Sequence, residues 1–177
     1  MPRAKNLVAQ QGKFNVLKLR PVKAIVISGK GNPYENEAFS ASVEAIVGLA
    51  RRLNRGQVLL ECIYKTAENE FDFAEKERWQ WQLLAQTRAT AAGLRKAAVG
   101  DLEKKAKIVN LNEGLVVQTL HKGPFTAEIE AFRPLLKFIY EQGYQPKGGL
   151  HEIYLSDPSK VKPDDLQTVV RRQIGKR

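Results

Sequence analysis

The chain has 177 residues, 43% of them hydrophobic and 27% charged, with a formal net charge of +10 and a single cysteine. That length suits one domain or two small fused halves, and the apolar share is enough to build a core. No run of about 18 apolar residues occurs, so no membrane-spanning helix is expected, and the lone Cys62 excludes an internal disulfide and fits a reducing compartment, most simply the cytoplasm.

Residues 1–20 are basic, without an uninterrupted apolar stretch, and read as an extended or loosely ordered segment rather than a secretion signal. VKAIVISG, residues 22–29, predicts a strand ending in a Gly-Lys-Gly-Asn-Pro turn. Asn36 is placed to cap the next helix, with Glu37 favourable against its dipole. Phe39, Val43, Ile46, Val47, Ala50 and Leu53 form one stripe along that helix. Arg51 and Arg52 fall near its C-terminal end, and Asn54-Arg55-Gly56 stops it. QVLLECIYK, residues 57–65, predicts a second strand, with Cys62 as a small buried apolar residue. Residues 66–77 read as a polar connection with a partial strand around Phe71 and Phe73. RWQWQLLAQ, residues 78–86, alternates Trp79, Trp81 and Leu83 against Gln80, Gln82 and Leu84 and predicts a third strand. Residues 89–107 predict one joining helix, weakened by Gly93 and Gly100.

The second half repeats the plan. GLVVQTLHKG, residues 114–123, predicts a strand ending in a Gly-Pro turn, where His121 stabilises the turn. Residues 127–142 predict a helix striped by Phe132, Leu135, Leu136 and Ile139 and ended by Gly143. GLHEIYLS, residues 149–156, and LQTVVRRQI, residues 166–174, predict two further strands around a turn-rich loop. Gly31, Pro33 and Glu37-Ala38-Phe39 match Gly123, Pro124 and Glu130-Ala131-Phe132 in the same order of elements, which indicates a duplication.

The expected fold is α+β: duplicated βαββ units forming one curved antiparallel sheet, with helices on one face and a concave ligand groove on the other. A single domain over residues 21–177 would comprise halves at about 21–88 and 108–175, joined by the helical linker. The groove is a natural small-molecule site. On residues 151–155 the pleat puts Ile153 and Leu155 with His151, and Glu152 and Tyr154 on the other side. The aliphatic pair is expected to face the helices, leaving Glu152 and Tyr154 for the groove. A carboxylate among aromatic residues can attract a lipophilic cation or act as general acid or base. It can also be structural, paired with an arginine such as Arg171. Trp79 and Trp81 share one face and are candidates for the groove wall.

At these residues a resemblance appears. VISGKGNPYENEAF, VVQTLHKGPF and HEIYLSDPSKVKPDDLQTVVR resemble the GyrI-like small-molecule-binding domain family, above all its stand-alone bacterial members, from about Ala24 to Ile174. The resemblance implies the duplicated βαββ fold. Related domains sense effectors in multidrug-responsive transcription regulators, others resemble a gyrase-inhibitory protein, and some stand-alone members are implicated in hydrolysing cyclopropane-bearing genotoxins. Carried onto this chain, the family's pocket glutamate falls on Glu152, and Tyr64 and Trp81 look like pocket aromatics. The chain departs from the pattern at Ala67-Glu68-Asn69-Glu70-Phe71, where Phe71 would stand for the aromatic wall and Glu68 for a second carboxylate. Pro134, beyond the first turn of its helix, could kink one end of the cleft.

The expected function is therefore binding of hydrophobic or cationic small molecules by Glu152, Tyr154, Tyr64, Trp79, Trp81, Phe71 and Glu68. A hydrolase acting on strained electrophiles, with Glu152 and Tyr64 in catalysis, is the alternative. The basic groups around Arg51, Lys104 and Arg171 leave open a DNA- or gyrase-interacting module. No cofactor is expected, because Gly29-Lys30-Gly31 lacks phosphate-loop spacing. No metal is expected either, because His121 and His151 have no partner at ligand spacing.

Overall fold

The computed structural model describes residues 7–54, 58–66 and 73–176. Contacts divide the chain into two compact units. The first runs Pro21–Asn112, and the second joins the N-terminal segment through Arg20 to everything from Glu113 onward. The chain opens with β1 (Asn15–Lys18), which belongs to the second unit.

In the first unit β2 (Val22–Lys30) leads through the Gly31 turn into α1 (Glu37–Leu53). Asn36 does what its position predicts. Its side-chain oxygen accepts from the amides of Ala38 at 2.9 Å and Phe39 at 3.3 Å, and its Nδ2 donates to the Lys30 carbonyl at 2.9 Å. One side chain thus caps the helix and ties it to the strand it follows. Asn54 closes the other end, where its Nδ2 donates to the Gln86 carbonyl and its Oδ1 accepts from Thr87 Oγ1. β3 (Leu60–Lys65) and β4 (Gln80–Gln86) form an antiparallel pair, and β4 also pairs with β2.

The stretch predicted as one helix over 89–107 is instead α2 (Ala91–Ala97), α3 (Asp101–Lys104) and a strand, β5 (Lys107–Leu111). The break falls at Val99 and Gly100, whose amides are both taken by the Glu103 carboxylate. The β-branched pair Ile108 and Val109 then favours an extended chain. β5 pairs with β2, and Val109 and Leu111 pack against Ala24, Val26, Ile63 and Leu84 on the face away from α1. That burial offsets the loss of helix.

The second unit has the same plan. β6 (Leu115–Lys122) and a 3-10 turn at Phe125–Ala127 lead into α4 (Ile129–Glu141), followed by β7 (Tyr144–Tyr154) and β8 (Gln167–Lys176). α4 runs without interruption through Pro134. β7 starts earlier than its sequence predicts because a bulge between Lys147 and Leu150, with Gly148 at φ +62°, lets pairing resume beyond the glycines. The strand order is β1-β6-β8-β7, and in the first unit β5-β2-β4-β3. Each βαββ core has therefore gained one edge strand, β5 in one unit and β1 in the other, and all these pairings are antiparallel. Neither edge strand is evident in the sequence alone, because both are short.

On the side of the second sheet away from α4, a polar network is buried. Glu113 Oε1 stands 2.8 Å from His151 Nδ1, and Glu113 Oε2 accepts from Arg171 Nη1 at 3.0 Å. Arg171 also donates through Nε and Nη2 to Gln118 Oε1. Burial alone would raise the Glu113 carboxyl, but His151 and Arg171 outweigh it and hold the pKa down at about 2.

A carboxyl held below its unfolded value stabilises the fold above about pH 4.5, and this contribution is lost as pH falls toward 2. The shift corresponds to roughly 3 kcal/mol. Glu113→Gln is expected to cost about 3 kcal/mol at pH 7 and to flatten the acid dependence of urea unfolding between pH 5 and 2. An unchanged acid dependence in the variant would remove Glu113 from this role.

Candidate functional site

Directly opposed residues of an antiparallel pair share a face. The register therefore places four positions of the first unit together: Gly29 opposite Trp81, Trp81 opposite Tyr64, and Cys62 next along on β3. The same register in the second unit joins His121 to Thr168 and Thr168 to Tyr154, with Glu152 next along on β7. The duplication thus writes one frame twice and fills it differently. Gly29, Cys62, Tyr64 and Trp81 answer to His121, Glu152, Tyr154 and Thr168.

In the first unit the frame carries aromatic residues. Phe39, in the first turn of α1, meets Trp81 edge-on at 5.1 Å and stacks on Tyr64 at 6.5 Å. Trp79 packs against Tyr64 at 5.3 Å and against Phe73 at 5.7 Å. Both tryptophans are buried, and the Trp81 indole N–H has no hydrogen-bond partner among the described residues. The indole lies flat across Gly29. A Cβ built there would come within 2.2 Å of Trp81 Cζ2, so only glycine fits beneath the ring.

In the second unit the frame carries acid. Glu152 is 4% exposed and accepts a hydrogen bond from Tyr154 Oη at 2.8 Å. Phe125 sets its edge on the Tyr154 ring at 5.3 Å. His121 closes the turn below, with Nε2 donating to the Pro124 carbonyl at 3.1 Å, as its place at the strand end predicts. Near Glu152 is a second carboxyl, Glu128, 3% exposed, and the two groups act on one another electrostatically. Glu128 occupies the residue before α4, one turn ahead of Phe132, Leu135 and Ile139, the buried stripe of that helix. The stripe continued backward points Glu128 at the sheet. Its side chain does not cap the helix, and its Oε1 has no hydrogen-bond partner among the described residues.

Burial and then the charge of Glu152 push the Glu128 carboxyl well above the usual carboxylate range. Burial also raises Glu152. Hydrogen bonds from Glu128 and Tyr154, and the charges of His151 and His121, pull it part of the way back. Among the described residues no lysine or arginine pairs with either carboxyl.

The structure departs from the sequence reading at two points. Glu152 and Tyr154 do share a face opposite His151 and Ile153, but that face is the one α4 covers. All residues from Leu150 to Ile153 are buried, so both faces of β7 are covered and alternation could not tell which one meets the helix. Arg171 lies on the opposite face from Glu152 and holds Glu113 instead. A carboxylate that sequence analysis passed over, Glu128, also acts on Glu152. The signal was available in the α4 stripe, extended one turn toward the N-terminus. Glu68 and Phe71 lie outside the described residues.

The chain belongs to the GyrI-like small molecule binding domain family, whose profile matches residues 13–171. Comparison with curated proteins returned no match. Among solved structures the chain is similar to an uncharacterized conserved protein from Listeria innocua, with TM-score 0.83, 24% identity and 97% of each chain covered. It is also similar to a hydrolase from Listeria innocua, with TM-score 0.79, 22% identity, 97% of this chain and 96% of that one. A third structure, of a protein bound to tetraphenylphosphonium, has TM-score 0.57 and 13% identity over 92% of this chain and 94% of the other. No helix among the described residues is long and apolar enough to cross a membrane.

The Gly29 contact gives a direct test of the aromatic frame. Gly29→Ala is expected to displace the Trp81 indole, shift tryptophan fluorescence and cost about 1–3 kcal/mol in thermal or urea unfolding. Unchanged fluorescence and stability would mean that the ring does not lie over the glycine.

Proposed function

We propose that this chain binds lipophilic small molecules that are cationic or electrophilic, with Glu152 as the charged anchor and Tyr154 and Phe125 as the adjacent aromatic surface. The observation that carries the reading is a pair of buried carboxyls with no resident lysine or arginine among the described residues. Burying such a charge without a partner is costly, and a bound cation supplies the missing one. Ring contacts to the cation add about 0.5–2 kcal/mol each. Tyr64, Trp79 and Trp81 occupy the equivalent frame of the first unit and are proposed as ligand-contact residues of that unit. Membership of a small-molecule-binding family supports the reading, as does a similar fold that holds tetraphenylphosphonium.

Tetraphenylphosphonium is the probe. Wild type should bind it in isothermal titration, and Glu128→Gln/Glu152→Gln, which removes both carboxyls while keeping their shape, should weaken binding at least tenfold. Equal affinities would remove the carboxyls from the site.

The Glu152–Tyr154 hydrogen bond and the contact with Glu128 favour one second reading. An acid beside a carboxylate can protonate a strained ring as it opens and activate water. Two structures described as hydrolases share the fold. Hydrolysis of an electrophilic cyclopropane compound should then proceed through many turnovers in wild type and stop in the double variant. Binding without product release would leave the chain a binder.

A further inference from the structure

Strand pairing in the first unit sets two lysines on either side of one carboxamide. Gln80 on β4 stands opposite Lys30 on β2 and opposite Lys65 on β3. Two residues along the strands, Gln82 stands opposite Ser28 and Ile63. Directly opposed residues share a face, and every second residue returns to it. Both rows therefore lie on the face away from α1, continuous with Val26, Leu84 and Ile63. That face changes character along the strands. Val26, Leu84 and Ile63 are buried, whereas Ser28, Lys30, Lys65 and Gln80 are exposed. The exposed end is concave. Ser28, Lys30, Lys65, Gln80 and Gln82 line a cleft of about 390 Å³, within the range of about 300–1,000 Å³ usual for small-molecule sites. The row between, Gly29 and Trp81, completes the lining, and its indole meets Phe39 on the other face of the sheet.

Among the described residues the fold makes no use of these polar side chains. The two ammonium groups, the two carboxamides and the Ser28 hydroxyl take part in no hydrogen bond or ion pair there. The backbone beneath them is fixed nevertheless. Asn36 Nδ2 donates to the Lys30 carbonyl at 2.9 Å, and the Gly31 amide donates to the Trp79 carbonyl at 2.8 Å. β2 and β3 stand two strand spacings apart, about 10 Å, so two lysine stems can converge above Gln80. Two like charges flanking a neutral carboxamide are both stabilised by an anion placed between them. Lysine serves phosphate as a point charge, and no arginine fork lines the cleft to select a carboxylate.

We propose that this cleft is a second binding site, for a phosphorylated small molecule whose phosphate groups bridge Lys30 and Lys65 while Gln80, Gln82 and Ser28 donate to their oxygens. It does not rest on the cation-binding reading: it uses other charged residues, in the other unit, and a ligand of opposite sign.

Inorganic diphosphate is the probe, titrated into the full chain at low salt. In nuclear magnetic resonance spectra the backbone amides of residues 28–30, 65 and 80–82 should shift together. By isothermal titration, Lys30→Gln/Lys65→Gln should weaken binding at least about tenfold, and each single variant about threefold. Both lysines are exposed, so the variants should fold as wild type does. Lys104→Gln/Lys105→Gln removes the same charge from exposed positions outside the cleft and should bind within about twofold of wild type. Equal losses in the two double variants, or shifts centred elsewhere, would mean that diphosphate follows net charge as an adventitious ion only, and would overturn the site. Citrate bound as tightly as diphosphate would overturn the assignment to phosphate. Displacement of diphosphate by tetraphenylphosphonium would merge the two sites and overturn a separate one.

Discussion

Antiparallel pairing brings directly opposed side chains to the same face within a few ångströms, and this constraint organises both units. Trp81 meets Tyr64 because β3 and β4 pair in one register. Thr168 meets Tyr154 because β7 and β8 pair in the equivalent one. A slip of one residue in either pair would turn these side chains to the opposite face. The helices then act on a surface already set. Phe39 enters from the first turn of α1 onto the two rings, and Glu128 enters from the start of α4 onto Glu152.

β7 shows how strongly the face decides the chemistry. His151 and Glu152 are neighbours in sequence, yet they sit in opposite electrostatic settings. On the His151 side, Glu113 has an arginine and a histidine within hydrogen-bond reach, and its carboxyl is held far down. On the Glu152 side a second carboxyl, Glu128, is buried as well, and burial drives both upward. The first arrangement satisfies its charges and supports the fold. The second leaves buried carboxyls without a lysine or arginine paired to them among the described residues.

Duplication explains how the chain arrived at two chemistries on one scaffold. The four equivalent positions are Gly, Cys, Tyr and Trp in one unit and His, Glu, Tyr and Thr in the other. Only the tyrosine is kept. A glycine under a tryptophan makes a flat aromatic surface, whereas a glutamate in place of Cys62 makes an acid. Glu128, just ahead of α4, is buried at a position where the first unit has the exposed Glu35.

Much of this was legible in the residues. Asn36 read as a cap because its side chain can serve two amides. The strands showed as β-branched runs, and the Gly-Lys-Gly and His-Lys-Gly turns exposed the repeat. Glu152 stood out as a carboxylate among aromatics. What the sequence by itself determined was therefore the βαββ plan, its duplication, and which residues share a pleat face, since these follow from local propensity and a period of two. Tertiary structure alone decided which face of β7 the helix covers, that the short β1 and β5 become edge strands, that Arg171 serves Glu113, and that Glu128 meets Glu152. Those outcomes depend on packing between segments far apart in the chain. Where both faces of a strand are buried, alternation no longer says which one looks at the helix.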